Sequence, residues 1–260
     1  MRTETMVRPI LAIAACAAIA CAPWAIGPAR AQDSMGERLS MDRLAAIQPG
    51  AYLAGDAVRF VLSPFNGDFL VRFQDSPEVF VLYADNASLG GRVLKYDDGE
   101  TAMRVAVWGG MTLYTDGSPG GLPVTRTGDA PPPSPPMIGP GEMQNIMSAE
   151  SQRLFTARRL QIGFNVDWGG FGSPLARSYA FNAIENAARG IERFTTSAVG
   201  HDAVARRIDT VVVAATGGRP DFALSGRTLV VMFNSGRGFA GCASSRAMTQ
   251  WLGATLWPRR

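Results

Sequence analysis

RVLKYDDGETAMRVAV, residues 92–107, decides the fold of the first half of the chain. Two short runs of alternating character flank Asp98-Gly99, a dipeptide that favours a tight hairpin between antiparallel strands. The alternation predicts that one face of this hairpin points inward. The predicted inward set is Val93, Lys95, Met103, Val105 and Val107. Arg92 and Arg104 are then expected to lie outside.

The same pattern recurs on both sides of this hairpin. Six apolar runs end at Gly, Pro, Asp or Asn residues, which favour turns. The runs are residues 58–62, 69–73, 79–83, 92–96, 103–107 and 111–114. Six short strands at near-regular spacing predict an antiparallel β meander or small barrel over residues 51–127.

A proline-rich segment follows the predicted β domain. Residues 128–141 contain the run PPPSPP at 131–136 and a further Pro140. Such a composition predicts a semi-rigid, extended linker of about 3.1 Å per residue. A polyproline ligand for a partner is the alternative interpretation.

Residues 142–260 alternate helical and β-branched patterns. We expect a helix over 142–160, a strand within 161–168, and a long helix that begins at Ser173-Pro174 and ends at Gly200. Two β-branched runs, 208–214 and 228–233, precede a last helix over 244–256. This succession predicts a compact α+β domain, so the chain as a whole belongs to the α+β class.

The first thirty-one residues have the order of a secretory signal peptide. Arg2 and Arg8 precede an apolar run at 10–22, and Ala29-Arg30-Ala31 forms a small-x-small cleavage site. The run is shorter than the ~20 residues that span a bilayer, so we expect no stable membrane span after cleavage at Ala31. A retained anchor and a lipoprotein acylated at Cys16 are alternatives. After cleavage, residues 32–50 are expected to form a polar leader, and the expected location of the protein is periplasmic or secreted.

Composition excludes several function classes. Cleavage after Ala31 leaves a nearly neutral chain without Lys/Arg runs longer than two, which argues against nucleic acid as a partner. His201 is the only histidine, so no multi-histidine metal site is expected, and no cofactor is predicted. Lys95 is the only lysine, and no catalytic residue is assigned. Cys242 alone remains after cleavage; it is either buried and inert or a reactive or intermolecular thiol.

Three motifs carry candidate chemistry. Residues 236–241 read GRGFAG, but only nineteen residues follow, too few for a dinucleotide fold. The surviving hypothesis is a weak anion site formed by Arg237, Gly238 and Arg246; a flexible glycine turn is the alternative.

His201-Asp202 resembles a base and its orienting carboxylate, yet no GxSxG nucleophile motif accompanies it. Residues 97–100, DDGE, lack the ligand spacing of a calcium loop.

Aromatic residues beside glycines give a further pair of interpretations. Trp108 precedes Gly109-Gly110, and Trp168 precedes Gly169-Gly170. Such residues either stack on sugars or partner chains, or are buried at the ends of strands. Both interpretations are open from the sequence.

Four segments resemble a known family. They are SPEVFVL (76–82), DDGET (97–101), WGGMTLYT (108–115) and GGLP (120–123). Together they resemble a family of uncharacterised secreted bacterial proteins, defined only as a domain of unknown function, with the similarity concentrated in residues 75–125. The resemblance implies an envelope or periplasmic location and supplies no functional residues.

Three hypotheses for function follow from these observations. The first is a non-enzymatic binding or interaction module of the cell envelope, with an envelope protein or a glycan as partner. The second is a periplasmic hydrolase that uses paired carboxylates, since Asp and Glu side chains distant in sequence can meet in space. The third is a structural subunit, which predicts an exposed apolar patch of several hundred Å². The sequence sets no oligomeric state.

Overall fold

The computed structural model of the chain describes residues 47–87 and 90–257. The predicted signal peptide, its cleavage site at Ala31 and most of the predicted leader lie outside these residues. All described residues belong to one compact unit, Met41–Arg260. Within them, no helix combines the length and the apolar character needed to cross a membrane.

Eight antiparallel strands form the first half. Each strand pairs with its neighbour in the sequence, and β1 also pairs with β8, so the meander closes into a barrel. The strands are β1 (Gly50–Ala54), β2 (Val58–Phe65), β3 (Asp68–Phe73), β4 (Val79–Asn86), β5 (Arg92–Lys95), β6 (Thr101–Val105), β7 (Met111–Thr115) and β8 (Ser118–Gly128). The predicted α+β class and the predicted barrel are therefore confirmed.

The hairpin at residues 92–107 forms as predicted, but its first strand presents the opposite face. Leu94 is fully buried in the barrel and pairs with Met103, which is also buried. Val93 pairs with the exposed Arg104, so the prediction that Val93 and Lys95 point inward is wrong. The ladder shifts register between Leu94 and Lys95. Because side chains alternate with period two, such an irregularity defeats a face assignment made across the turn.

The second half combines four helices with a four-stranded mixed sheet. Its helices are α1 (Pro140–Arg158), α2 (Pro174–Phe194), α3 (Ala198–Arg207) and α4 (Ser245–Leu256). Its strands are β9 (Gly163–Val166), β10 (Thr210–Ala215), β11 (Asp221–Ser225) and β12 (Thr228–Phe233). The sheet order is β11-β12-β10-β9, in which β10 runs parallel to β9 and β12. Residues 129–139 carry no regular secondary structure.

The long helix α2 ends earlier than its sequence suggests. Ser173 caps it as expected, since its Oγ accepts the Ala176 N–H. The helix stops at Phe194, and a new helix begins after Ser197, which caps α3 through the Gly200 N–H. Gly200 therefore lies inside α3, and the prediction that it ends the long helix is wrong. A Cβ at Gly200 would lie 2.2 Å from the Phe194 carbonyl oxygen, so this close turn requires glycine.

One outer face of the barrel is covered by the second half. Leu70 on β3 and Val79 and Val81 on β4 belong to the same buried cluster as the helices and the mixed sheet. A separate cluster fills the barrel interior, with Leu62, Leu82 and Leu113 fully buried. The molecule thus has two cores, and the first of them joins the barrel to the helices.

Candidate functional site

A carboxylate of the barrel caps the last helix. Glu78 immediately precedes β4 and is only 2% exposed. Its Oε1 accepts the Ser245 backbone N–H at 2.7 Å, and its Oε2 accepts the Ser245 hydroxyl at 2.8 Å. Ser245 is the first residue of α4, whose first N–H groups have no partner within the helix. The positive end of the helix dipole also favours a carboxylate at this position.

Burial nevertheless raises the pKa of Glu78 from 4.5 to about 7. The two hydrogen bonds from Ser245 and the charge of Arg189 lower it, but they do not offset the loss of hydration. Near neutral pH the side chain is therefore divided between its charged and neutral forms.

Neighbouring barrel loops hold the same helix end. Asp97 accepts hydrogen bonds from the backbone N–H and the hydroxyl of Ser244, the cap residue of α4. Arg246 donates to Asp98 at 2.7 Å and to Asp116 at 3.0 Å. Its guanidinium lies 4.5 Å from the centre of the Tyr96 ring. The first turn of α4 is thus bound to the β5–β6 hairpin and to the β7–β8 turn.

A cleft of about 570 Å³ opens beside this helix end, and we call it the barrel–helix cleft. One wall is apolar and comes from the barrel, while the other carries charged residues of the helices and loops. The apolar wall includes Val58, Phe73, Phe80 and Tyr96. The charged residues are Asp75, Glu78, Asp116, Arg158, Arg189, Glu192, Arg193 and Arg246. A volume of this size is within the range of small-molecule sites.

Three of the four arginines of the cleft have carboxylate partners. Arg189 pairs with Glu185 at 3.1 Å. Arg193 pairs with Asp116, which also accepts from Arg246. Partial burial would raise the pKa of Asp116, but the hydrogen bond from Arg246 and the charge of Arg193 lower it below its ordinary value.

Arg158 differs from the other arginines of the cleft. It is the last residue of α1, and its Nε is buried without a hydrogen-bond partner among the residues that the structure describes. No carboxylate of the described chain forms an ion pair with its guanidinium within 4.0 Å. A buried donor without a partner costs about 1–3 kcal/mol, so an acceptor supplied by a ligand would be favourable here.

A second pocket, of about 620 Å³, lies next to the cleft and shares Phe73, Asp75 and Ser76 with it. Arg59 and Arg72 are its basic residues. Neither of them has a buried, unpartnered donor atom, so of the described residues of these two pockets only Arg158 in the barrel–helix cleft has one.

Of the residues of the predicted anion site, Arg246 lines the barrel–helix cleft and Arg237 and Gly238 do not. Arg246 lines the barrel–helix cleft, where Asp98 and Asp116 occupy its guanidinium. Arg237 is exposed and does not line this cleft. Gly238 has a φ of +60°, and a Cβ there would lie 3.2 Å from the Phe65 ring. An anion site composed of Arg237, Gly238 and Arg246 stays a prediction.

His201 and Cys242, the two residues that the sequence marks as candidates for reactivity, each contact a backbone carbonyl oxygen. His201 lies within α3, and its Nε2 donates a hydrogen bond to the Arg158 carbonyl oxygen at 2.9 Å. Cys242 is buried, and its thiol contacts the Tyr179 carbonyl oxygen at 3.3 Å. Burial raises the pKa of the Cys242 thiol to about 12, which corresponds to the inert alternative rather than to a reactive thiol.

These features define an α+β protein in which a closed eight-stranded barrel and the helices of the second half border one charged cleft. A family model described as domain of unknown function (DUF4908) matches residues 31–252. The chain therefore belongs to this family. No curated protein and no solved structure shows significant similarity to it.

Proposed function

We propose that the protein is a non-enzymatic binding module of the bacterial cell envelope, and that its barrel–helix cleft holds a ligand with an anionic group and an apolar body. The observation that carries this proposal is the buried, unpartnered Nε of Arg158 in a cleft that also has an apolar wall. An arginine that lacks a carboxylate partner suits a carboxylate or phosphate, because its planar donors match the oxygens of such a group.

The predicted export of the chain supports an envelope location. Its family match begins at residue 31, the predicted cleavage position Ala31. The ligand is expected to place its anionic group at Arg158 and its apolar part against Phe73 and Phe80. Both side chains come from the barrel, whereas Arg158 comes from α1, so the ligand would contact both halves.

The test uses 1-naphthoate and its uncharged counterpart 1-naphthamide as probes, measured by titration calorimetry. Wild-type protein should bind naphthoate more tightly than naphthamide. Arg158→Gln should weaken naphthoate binding by about tenfold to a hundredfold, the loss of a charge-assisted hydrogen bond.

Arg159→Gln is the matched control. Arg159 follows Arg158 directly and carries the same charge, but it does not line the cleft and instead stacks over Phe155. We expect its variant to bind naphthoate within about twofold of wild type. Equal affinities for the Arg158→Gln variant and the wild type would contradict the proposed binding site.

A hydrolase is the second candidate, and Glu78 is the observation that favours it. A carboxyl group in a cleft with a pKa of about 7 suits general acid catalysis near neutral pH. Both of its oxygens already accept hydrogen bonds from Ser245, however, which favours a structural role.

Paired variants at the start of α4 separate these two roles. Glu78→Gln and Asp97→Asn both alter carboxylates that cap α4, but only Glu78 lines the cleft. A panel of p-nitrophenyl esters and glycosides provides the assay. Hydrolysis that is lost in Glu78→Gln and kept in Asp97→Asn would favour the hydrolase over the binding module.

A further inference from the structure

A separate groove of about 490 Å³ lies on the outer face of the barrel, over β5, β6 and β7. Val93, Arg104 and Thr112 lie side by side across these three strands. Tyr114 follows Thr112 by two residues and therefore shares its face. This groove has no lining residue in common with the barrel–helix cleft. We call it the Trp108 groove, after the side chain at its end.

Trp108 is 81% exposed, the most exposed large apolar side chain of the described residues. It lies in the tight turn between β6 and β7, which Gly109 closes by donating its N–H to the Ala106 carbonyl oxygen at 2.9 Å. Gly109 has a φ of +89°, a conformation that favours glycine. The indole Nε1 lies 3.3 Å from the Cβ position of Gly110, so the ring extends above this glycine. Neither apolar core includes Trp108.

The groove is basic. Arg104 is exposed, and its guanidinium lies over the Tyr114 ring at 5.8 Å from the centroid. Among the described residues that line the groove, none carries a carboxylate. Asp85 lies opposite Val93 on the neighbouring strand, but its carboxylate is paired with Lys95 at 2.8 Å.

We propose that the Trp108 groove binds an acidic oligosaccharide, a chain of sugars that carry carboxylates. An exposed indole offers a flat apolar surface to the C–H face of a sugar ring, and the Tyr114 ring supports the Arg104 guanidinium in the same groove. Arg104 supplies planar donors for a sugar carboxylate, and the Thr112 hydroxyl offers a donor and an acceptor for sugar hydroxyls. The exposed charge of Arg104, with no carboxylate among the described residues that line the groove, favours an acidic glycan over a neutral one.

Charged residues around the Trp108 groove also limit the direction in which a glycan can lie. Beyond Arg104, the adjoining depression is lined by Glu100 and by the Asp116–Arg246 ion pair, so Glu100 is the acidic residue that a glycan would meet there. A negatively charged glycan is therefore expected to run from Arg104 toward Trp108 and not toward the β5–β6 hairpin. The aromatic and basic groups are held on paired strands and a closed turn, so binding requires little ordering of the protein.

Calorimetric titration of the purified protein with trigalacturonate tests the proposal, and maltotriose is the neutral probe of equal length. We expect trigalacturonate to bind at least tenfold more tightly than maltotriose. Trp108→Ala should weaken trigalacturonate binding at least tenfold, and Arg104→Gln should bring the affinities for the two sugars close together. Because Trp108 and Arg104 are exposed, both variants should retain the thermal unfolding midpoint of the wild type within a few degrees.

Trp168→Ala is the control, since Trp168 is also exposed but lies in the second half of the chain. It should bind trigalacturonate as the wild type does. Undetectable binding of trigalacturonate to the wild type, equal binding of both sugars, or unchanged binding by Trp108→Ala would each overturn the proposal. A dimer that sedimentation velocity detects and that Trp108→Ala abolishes would also overturn it, because the groove would then bind a second copy of the chain.

Discussion

Replacing Glu78 by glutamine should remove a pH dependence from the stability of the protein. The pKa of Glu78 rises from 4.5 to about 7 because the side chain is buried. The folded state therefore binds this proton more tightly than the unfolded chain does, and the free energy of unfolding falls as the pH rises between these two values. At about 1.4 kcal/mol per pKa unit, about 3 kcal/mol of stability has been lost once the pH exceeds about 7. Below pH 4.5 both states are protonated and the full contribution is present.

The glutamine amide reproduces the neutral form of Glu78. Its oxygen accepts the Ser245 N–H and its NH₂ donates to the Ser245 hydroxyl, so the cap of α4 is kept. At pH 4.5 we expect Glu78→Gln and the wild type to have nearly equal stability. At pH 8 the variant should be more stable, by up to about 3 kcal/mol.

Urea unfolding followed by tryptophan fluorescence at pH 4.5, 6.5 and 8 provides the measurement. The difference between variant and wild type cancels the titration of all other groups that the substitution leaves unchanged. Glu100→Gln removes an exposed carboxyl from the β5–β6 hairpin and should change stability by less than about 0.5 kcal/mol at each pH. A difference between Glu78→Gln and the wild type that is the same at pH 4.5 and pH 8 would refute the reasoning.

Three further predictions concern packing and reactivity. Gly190→Ala should destabilise the protein by about 1–3 kcal/mol in urea unfolding, because its Cβ would lie 2.4 Å from Met248 Cγ, where α2 and α4 meet. Gly253→Ala on α4 should instead stabilise it by up to about 1 kcal/mol, since its Cβ meets only the Phe194 ring at 3.9 Å. At pH 8, iodoacetamide should label Cys242 far more slowly in the folded protein than in urea, as followed by mass spectrometry, because burial raises the thiol pKa to about 12. Equal labelling rates would contradict the buried, inert assignment.

Much of the barrel follows from local sequence patterns. The alternating runs at 58–62, 69–73 and 79–83 predict strands that the structure contains within β2, β3 and β4. Two strands have no such pattern: β1 reads GAYLA, and β8 reads SPGGLPVTRTG. These two strands close the barrel through pairs such as Leu53 with Thr125. Closure depends on contacts between distant segments, which alternation within a window does not report.

In the second half, as in the barrel, local sequence patterns predict some features of the structure and miss others. Ser173 is a helix cap as the sequence predicts, because its hydroxyl accepts an N–H group of the first turn. Ser244, predicted only as the start of the last helix, is the cap of α4. The break after Phe194 was missed, since the apolar period of α2 continues into α3 and masks the cap at Ser197. Gly200 resembled a terminator of the long helix, whereas its small size serves a close contact with the Phe194 carbonyl.

The candidate site was beyond local sequence reasoning. Glu78 meets Ser245 across 167 residues, and Asp97 meets Ser244 across 147. In the sequence, Glu78 is an ordinary charged residue after the turn-forming Ser76-Pro77. Arg158 begins the pair Arg158-Arg159, and nothing in the pattern distinguishes the arginine with the buried Nε from its exposed neighbour. The Trp108 turn did carry a signal, because an aromatic residue beside two glycines either stacks on sugars or partner chains or is buried at the end of a strand, and Trp108 is 81% exposed.

The arrangement of hydrogen bonds in the cleft favours binding over catalysis. A general acid needs an oxygen that faces the substrate, but both oxygens of Glu78 already accept hydrogen bonds from Ser245. Asp116 is similarly held by Arg193 and Arg246. Among the described residues that line the cleft, Arg158 has a buried donor without a partner, its Nε, and a guanidinium binds an anion but cannot transfer a proton at physiological pH. A ligand that accepts a hydrogen bond from Arg158 would therefore supply the partner that this side chain lacks. A reaction at Glu78 would first have to break the hydrogen bonds that hold α4 to the barrel.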